Sequence, residues 1–257
     1  MKEDIFTKIP KSDYSEEAPP IIAEEFDKVV RSRRSVRVYD GSPVPAEVIE
    51  TALNHALLAP NSSNLQPWRF VWVHSQQNKE RLVKACLGQN AAKTAAELII
   101  ITARTRGWRE VRKQMLELLG KNSAPESVKS YYEKLVPFAY GQGPLGIKGV
   151  IKSVMMHFRG LSKATPRGPA SQSDMRVWAH KSAALACENI MLSVRAQGYD
   201  SCPMEGLDEV RVKEILGKEL CEAGEEICMV ISVGKRAKNG IYGPQIRMPR
   251  EQFVAII

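Results

Sequence analysis

The sequence predicts an α+β domain: a central sheet covered by helices, with helices and strands intermixed. Three observations lead there. Apolar residues recur at helical spacing in several separate stretches, as at Ile49, Leu53, Ala56 and Leu57. Two short runs, ELIIITA at 97–103 and ICMVISV at 227–233, are apolar almost throughout and read as strands covered on both faces. No internal repeat and no regular strand–helix alternation is present, so neither a Rossmann sheet nor a barrel is indicated. The chain's 257 residues, 44% hydrophobic and 26% charged, suit one large globular domain.

The opening MKEDIFTKIPKSDYSEEAPP is polar and ends in two prolines, so residues 1–25 read as an arm. It has no apolar signal core, which leads us to expect a cytoplasmic protein. A helix is predicted from Ile22 to Ser32, with Ile22, Phe26, Val29 and Val30 on one face. A second spans Pro45 to Leu58, since proline suits a first helical turn. Arg69 to Ser75, rich in valine and aromatics, reads as a strand, and Asn78 to Leu87 as a helix. Further on, Ser171, Ser173 and Asp174 offer caps to a long helix that runs to near Gln197, where Gly198 stops it. Its Ala183, Ala184, Ala186, Ile190 and Leu192 predict burial on nearly all sides. A short helix fits Asp208 to Leu216, closed by Gly217.

Between Arg104 and Ala170 thirteen Lys and Arg face four Glu, a local charge of +9. The whole chain carries +8, so the remainder stands near −1 and the basicity belongs to one segment. With no zinc finger, RNA-binding aromatic motif or helix-turn-helix, a nucleic-acid partner is not indicated. The segment also holds Trp108, Tyr131, Tyr132, Phe138, Tyr140 and Phe158. Its one readable element is IKGVIKSVMMHFRGL at 147–161, which sets Lys148, Lys152 and Arg159 against Ile151, Val154, Met155 and Phe158. Such a basic amphipathic helix packs as a lid or dimer contact, the more frequent fate, or lies on anionic lipid. Cys86, Cys187, Cys202, Cys221 and Cys228 are odd in number without CxxC spacing, which predicts free thiols, neither a disulfide framework nor a zinc site. His55, His74, His157 and His180 are scattered, and no histidine is assigned to catalysis or to a metal.

Four stretches carry candidate chemistry. SRRSVR at 32–37 crowds Arg33, Arg34 and Arg37 with two serines, and arginine forks match phosphate oxygens. APNSSNLQPW at 59–68 is too polar for a core and longer than a tight turn needs. PMEGLD at 203–208 places a carboxylate and a glycine just before a helix, where backbone groups of Glu205 and Gly206 can face a ligand. GPQIRMPRE at 243–251 puts Arg247 between prolines in an irregular region, an arginine able to close an anion site. Taken singly, a solvated basic turn, an ordinary loop, a helix cap and a surface arginine are the more frequent readings.

In this order along the chain, RRSVR, APNSSNLQPW, PMEG after a long helix, and a late arginine resemble the nitroreductase family of FMN-dependent oxidoreductases. The resemblance spans roughly 26–103 and 178–249. It implies a three-layer sandwich, a central mostly antiparallel sheet flanked by helices, in an intertwined homodimer with two FMN sites at the interface. Residues 26–257 would form the FMN-binding domain, with an insertion or lid at about 104–170 that walls the acceptor pocket and stands apart from the FMN frame. Arg33, Arg34, Ser35 and Arg37 would bind FMN, with Arg33 and Arg247 on the phosphate and Arg37 near the flavin N1/O2 edge. Many relatives carry lysine where Arg37 stands, and some a second phosphate-binding lysine where Gln245 stands. Pro60, Asn61 and Ser62 would reach FMN across the interface, and Asn64 and Gln66 would bond beside it, with Trp68 anchoring the loop. Pro203, Met204, Glu205 and Gly206 would cover the ring, the last two with backbone N–H groups near N5. The implied chemistry is ping-pong: NADPH or NADH reduces FMN, then an electron-poor acceptor such as a nitroaromatic or quinone is reduced. No dinucleotide fingerprint distinguishes the two donors. Reductive dehalogenation is the alternative, although the acidic-aromatic-lysine lid of the deiodinases is missing. A non-enzymatic FMN-binding or membrane-surface protein is the alternative of another class.

Overall fold

The computed structural model describes residues 15–121 and 124–257. The first fourteen residues of the predicted arm therefore lie outside the described residues. Among the described residues four strands form the sheet: β1 (Trp68–Trp72), β2 (Glu97–Arg104), β3 (Asp200–Met204) and β4 (Glu225–Gly234). Their order is β1-β2-β4-β3, and every pairing is antiparallel. The two apolar runs predicted as covered strands are β2 and β4, the central pair. Strand alternation sends Ile99, Ile101 and Ala103 to one face and Leu98 and Ile100 to the other, and both sets are buried.

Helices cover both faces, giving three layers. On one side lie α2 (Ala46–Leu57) and the long α9 (Gln172–Ala196), whose Trp178, Ala183, Cys187 and Ile190 join the larger core. On the other lie α3 (Gln76–Ala85), α4 (Asn90–Lys93) and α10 (Glu209–Leu220), packed through Leu82, Ala85, Ala91, Val212 and Leu216. A capping box starts α9: the Ser171 hydroxyl accepts from the Asp174 N–H, and the Asp174 carboxylate accepts from the Ser171 N–H. Gly198 at φ +87° ends it, a conformation that favours glycine. The expectation that α9 is buried nearly all round is corrected: Val177 and Leu185 are 57% and 49% exposed on one face.

The arm boundary is corrected too, because α1 (Ala23–Ser32) straddles residue 25. Among the described residues nothing covers its apolar stripe: Ile22, Phe26 and Val30 are all exposed. β3 is not among the elements predicted from the sequence. Asp200 and Ser201 hide the strand, because they are polar yet almost fully buried.

The basic segment folds into α5 (Trp108–Lys121), α6 (Glu126–Ser130), a wide turn at 131–135, α7 (Val136–Tyr140) and α8 (Ile147–Arg159). Trp108, Tyr132, Val136 and Tyr140 are buried in the same core as α2 and α9. The Tyr140 ring lies 4.9 Å from that of Trp178 on α9. The segment is thus part of the larger core. The predicted basic face of α8 is divided: Lys148 and Arg159 are exposed together with the apolar residues, and Lys152 is buried. Gly149, Lys152 and Met156 face the protein, while Ile147, Val150, Ile151, Val154 and Phe158 face out. Lys152 therefore cannot serve a basic outer face: its ammonium donates to the carbonyls of Phe138 and Ala139 at the end of α7.

Candidate functional site

The SRRSVR segment is held extended along the sheet edge. Ser35 bridges Ser201 of β3, and the Val36 N–H donates to the Ser201 carbonyl at 3.1 Å. On its other side, Arg37 N–H donates to the Gly240 carbonyl at 2.7 Å, and Ala237 N–H to the Val38 carbonyl at 3.1 Å. Gly240 is required there, since a Cβ would collide with the Val38 carbonyl oxygen. Val36 is fully buried and anchors the segment, leaving its polar neighbours to the surface. Asp200 reinforces the junction: nearly buried, it accepts from Arg195 of α9 at 2.8 Å and from Arg236 at 2.5 Å, and Arg236 also donates to the Ser32 carbonyl. Three separate chain segments meet on one carboxylate, which fixes where the arginines emerge.

There Arg33, Arg34, Ser35 and Arg37 meet Gln245 and Arg247 from the C-terminal stretch around a cleft of about 340 Å³. Ile241, Tyr242, Gly243, Pro244 and Ile246 complete its lining, which among the described residues contains four guanidinium groups and no carboxylate. The nearest acid ion-paired to this set is Glu188 on α9, 3.8 Å from Arg33. Such a donor set suits a multiply charged oxyanion. Arg34 also has a structural task, donating to the Gly243 carbonyl at 2.6 Å and so tying the two halves of the cleft together.

A second cleft shares Arg37 and Tyr242 and is lined also by Gln89, Asn90 and Ala91. Gln89 Nε2 donates to the Gly206 carbonyl at 2.8 Å, which brings the PMEG turn beside it. Asn90 Nδ2 donates to the Tyr242 hydroxyl. Gln89, Asn90 and Tyr242 were missed in the sequence because each is a single polar residue outside any motif. Of the PMEG turn, Pro203 and Met204 belong to β3 with the Met204 side chain in the core, while Glu205 and Gly206 are exposed.

The Pro60–Gln66 loop does not line either cleft. It is braced from within: Asn61 Oδ1 accepts from the Gln66 N–H at 2.8 Å, and Asn61 Nδ2 donates to the Ala59 carbonyl. Ser63, Asn64 and Gln66 hold φ of +60°, +48° and +44°, a left-handed backbone uncommon for non-glycine residues. Three tyrosines of the basic segment hold this loop from outside. The Tyr140 hydroxyl bonds Ser62 Oγ at 2.7 Å and Ser63 Oγ at 3.0 Å, the Tyr131 hydroxyl bonds Ser63 Oγ at 2.6 Å, and the Tyr132 hydroxyl donates to the Ser63 carbonyl. The basic segment therefore braces this loop directly. Loop spacing gave no sign of a contact made about seventy residues away.

Comparisons with known proteins place this architecture. The model of the nitroreductase family matches residues 30–235. YdgI of Bacillus subtilis, whose name gives it as an NAD(P)H nitroreductase, is 28% identical over 86% of this chain and 92% of its own. A protein of Thermus thermophilus named NADH dehydrogenase is 27% identical over 86% of this chain and 91% of its own. Among solved structures, ydfN of Bacillus subtilis superimposes with a TM-score of 0.71 at 24% identity, covering 92% of this chain and 100% of that one. A protein of Exiguobacterium sibiricum in complex with FMN does so with a TM-score of 0.66 at 22% identity, covering 90% and 97%.

Proposed function

The chain belongs to the nitroreductase family, and from that premise we propose that it is an FMN-dependent oxidoreductase that takes electrons from NAD(P)H and passes them, in two alternating half-reactions, to an electron-poor acceptor such as a nitroaromatic or quinone. The observation that carries the reading is the cleft of four arginines without a carboxylate. Its charge and size fit the phosphate end of FMN.

In this reading Arg33 and Arg247 neutralise the phosphate, while Ser35 and Gln245 add neutral hydrogen-bonding groups. Gln245 contributes no charge, so the arginines carry the electrostatic part. The flavin, when bound, supplies the hydride-accepting centre. Arg37, shared by the two clefts, is the one guanidinium placed to stabilise negative charge developing on reduction. Gln89 holds the Gly206 carbonyl and so orients the peptide groups of Glu205 and Gly206 toward the ring. No side-chain nucleophile is called for.

The Pro60–Gln66 loop enters through a second subunit. We propose a homodimer in which Pro60, Asn61 and Ser62 reach the partner's flavin, with Asn64 and Gln66 beside it. The exposed apolar residues of α1 and of the outer face of α9 support such an interface. The basic segment contributes the acceptor-side wall and fixes the loop through its tyrosines. Among the described residues no helix is long and apolar enough to cross a membrane.

The test is direct. Purified protein should be yellow, carry one FMN per subunit, sediment as a dimer, and bleach with NADPH or NADH, recovering colour on addition of a nitroaromatic. Colourless protein that takes up no added FMN overturns the reading; yellow protein that no nicotinamide bleaches overturns the enzymatic part of it.

A further inference from the structure

The outer side of α8 carries an apolar stripe that nothing covers among the described residues. Ile147, Val150, Ile151, Val154, Met155 and Phe158 follow one another at three- and four-residue steps, the spacing of a single helical face, and all six are exposed. Leu145 before the helix and Leu161 after it lengthen the stripe, at 98% and 73% exposure. Leu145 holds a φ of +49°, a left-handed backbone uncommon for a large side chain, and so presents an apolar group at the tip of a loop.

The rotation of α8 is fixed from its inner side. Gly149 lies so close to the Ala170 carbonyl that a Cβ there would collide with it. The Gly149 N–H donates to the Gln142 carbonyl at 3.1 Å. Lys152 donates to the Ala139 carbonyl at 2.6 Å, and Arg167 donates to the Met156 and Gly160 carbonyls at the C-terminal end of the helix. Rolling the apolar stripe inward would break all of these contacts, so the outward stripe is built into the packing of the helix.

The charge around the stripe is of one sign. From Lys134 to Ser173 the chain has six Lys and Arg and no Asp or Glu. Lys148 and Arg159, eleven residues apart, fall about 20° from each other around the helix axis, on the flank between the apolar stripe and the inner face. The Lys148 stem crosses Gly143, where a Cβ would collide with it. Both cations are exposed, as is Lys163 beyond the helix, and among the described residues none of the three is ion-paired.

We propose that α8 docks flat on an anionic lipid bilayer, with the stripe seated between headgroups and acyl chains and Lys148, Arg159 and Lys163 on the lipid phosphates. The stripe runs about 20 Å along the helix and is straight, which suits a plane that is apolar beneath and negative at its surface. A second copy of this chain suits the face less well. Two α8 helices meeting about a two-fold axis would set these cations against one another with no acid in the segment to offset them. The contact is peripheral, since among the described residues no helix is long and apolar enough to cross a membrane. It does not depend on the flavin chemistry proposed above, and its test reads lipid binding without turnover.

Full-length protein is sedimented with vesicles of phosphatidylcholine alone and of phosphatidylcholine mixed with phosphatidylglycerol. It should bind the anionic vesicles, leave the neutral ones, and come off as salt is raised. Lys148→Gln combined with Arg159→Gln should weaken partitioning about 30-fold, at about fivefold per cation. Ile151→Ser combined with Phe158→Ser should weaken it by about tenfold or more. All four side chains are exposed, so thermal unfolding should match the wild type. Phe158→Trp should gain an emission that lipids brominated near the headgroup quench. Equal or absent binding to the two vesicles, anionic binding that survives the Ile151 and Phe158 substitutions, or Phe158→Trp emission untouched by brominated lipid each overturns the proposal. A smaller species in velocity sedimentation of the Ile151 and Phe158 double variant assigns the face to a subunit contact and overturns it too. Should that double variant aggregate, the wild-type vesicle series and Phe158→Trp decide.

Discussion

Tyr140→Phe isolates the contact between the basic segment and the Pro60–Gln66 loop, because it removes one oxygen atom and keeps the ring that packs on Trp178. That oxygen bonds Ser62 Oγ at 2.7 Å and Ser63 Oγ at 3.0 Å. For Ser62 this is its one side-chain bond among the described residues. Ser63 keeps a second partner in Tyr131 at 2.6 Å. At about 1 kcal/mol per bond the variant loses about 2 kcal/mol. If the loop must be ordered to bind flavin, the whole loss passes into affinity, an increase in the FMN Kd of up to about 30-fold. If the loop stays ordered, the loss shows in stability instead, as a Tm about 4–8 °C lower. Tyr131→Phe should cost about half as much, since Tyr140 still serves Ser63. Flavin fluorescence titration and thermal unfolding, run on both variants, read both quantities. Tyr140→Phe with Kd and Tm both unchanged, or less affected than Tyr131→Phe, refutes the argument that these hydroxyls hold the loop.

Other outcomes follow from the same geometry. Arg33→Ala and Arg247→Ala should each weaken FMN binding by about 10- to 100-fold, with a reduced salt dependence, as expected for loss of a charge-assisted bond; equilibrium dialysis at two ionic strengths checks this. Arg34→Ala should instead lower thermal stability along with binding, because Arg34 also ties Gly243 in place. Glu225, almost fully buried, accepts from Thr102, Arg104 and Arg69; Glu225→Ala should cost about 1–3 kcal/mol in urea unfolding, since it leaves the buried Thr102 hydroxyl without its acceptor while Arg69 and Arg104 keep Glu222. Asp174 is held below the usual carboxylate range by backbone N–H groups of Ala170 and Ser171. Its contribution to stability is therefore present above the unfolded carboxylate value of about 3.9 and is lost as pH falls through the lowered folded value. Asp174→Asn should remove that part of the acid-unfolding curve, followed by circular dichroism.

The parts of the fold legible in the sequence are those where a local pattern and the tertiary environment agree. ELIIITA and ICMVISV are apolar because helices cover both faces of the sheet, and they became the central strands. The α9 cap is legible because Ser171 and Asp174 satisfy each other within one turn. The candidate arginines are legible because SRRSVR is a dense, local cluster, and the structure brings it together with Gln245 and Arg247. β3 was illegible for the opposite reason: Asp200 and Ser201 are polar, and Arg236, distant in the chain, joins the nearby Arg195 to make that carboxylate tolerable in a buried position.

The basic segment illustrates why charge was the weaker guide to its role. Its net charge of +9 is the most conspicuous number in the sequence, yet charges are partly spent on internal tasks. Lys152 caps the carbonyl end of α7, Arg104 joins the Glu225 network, and Arg112 bonds the Tyr132 carbonyl. What couples the segment to the candidate site is neutral: three tyrosine hydroxyls placed over Ser62 and Ser63. A hydroxyl at the end of a rigid ring loses little entropy when it is fixed, whereas a lysine gives up a long flexible chain. Tyrosines therefore suit a contact that must hold a strained loop, with positive φ at Ser63, Asn64 and Gln66, in one conformation. The core supports them in turn, since Tyr132 and Tyr140 are buried beside Trp108 and Trp178. Shortening the segment would open that core, so its proposed part in acceptor choice is tested by substituting single exposed side chains such as Phe138, with the tyrosines left in place.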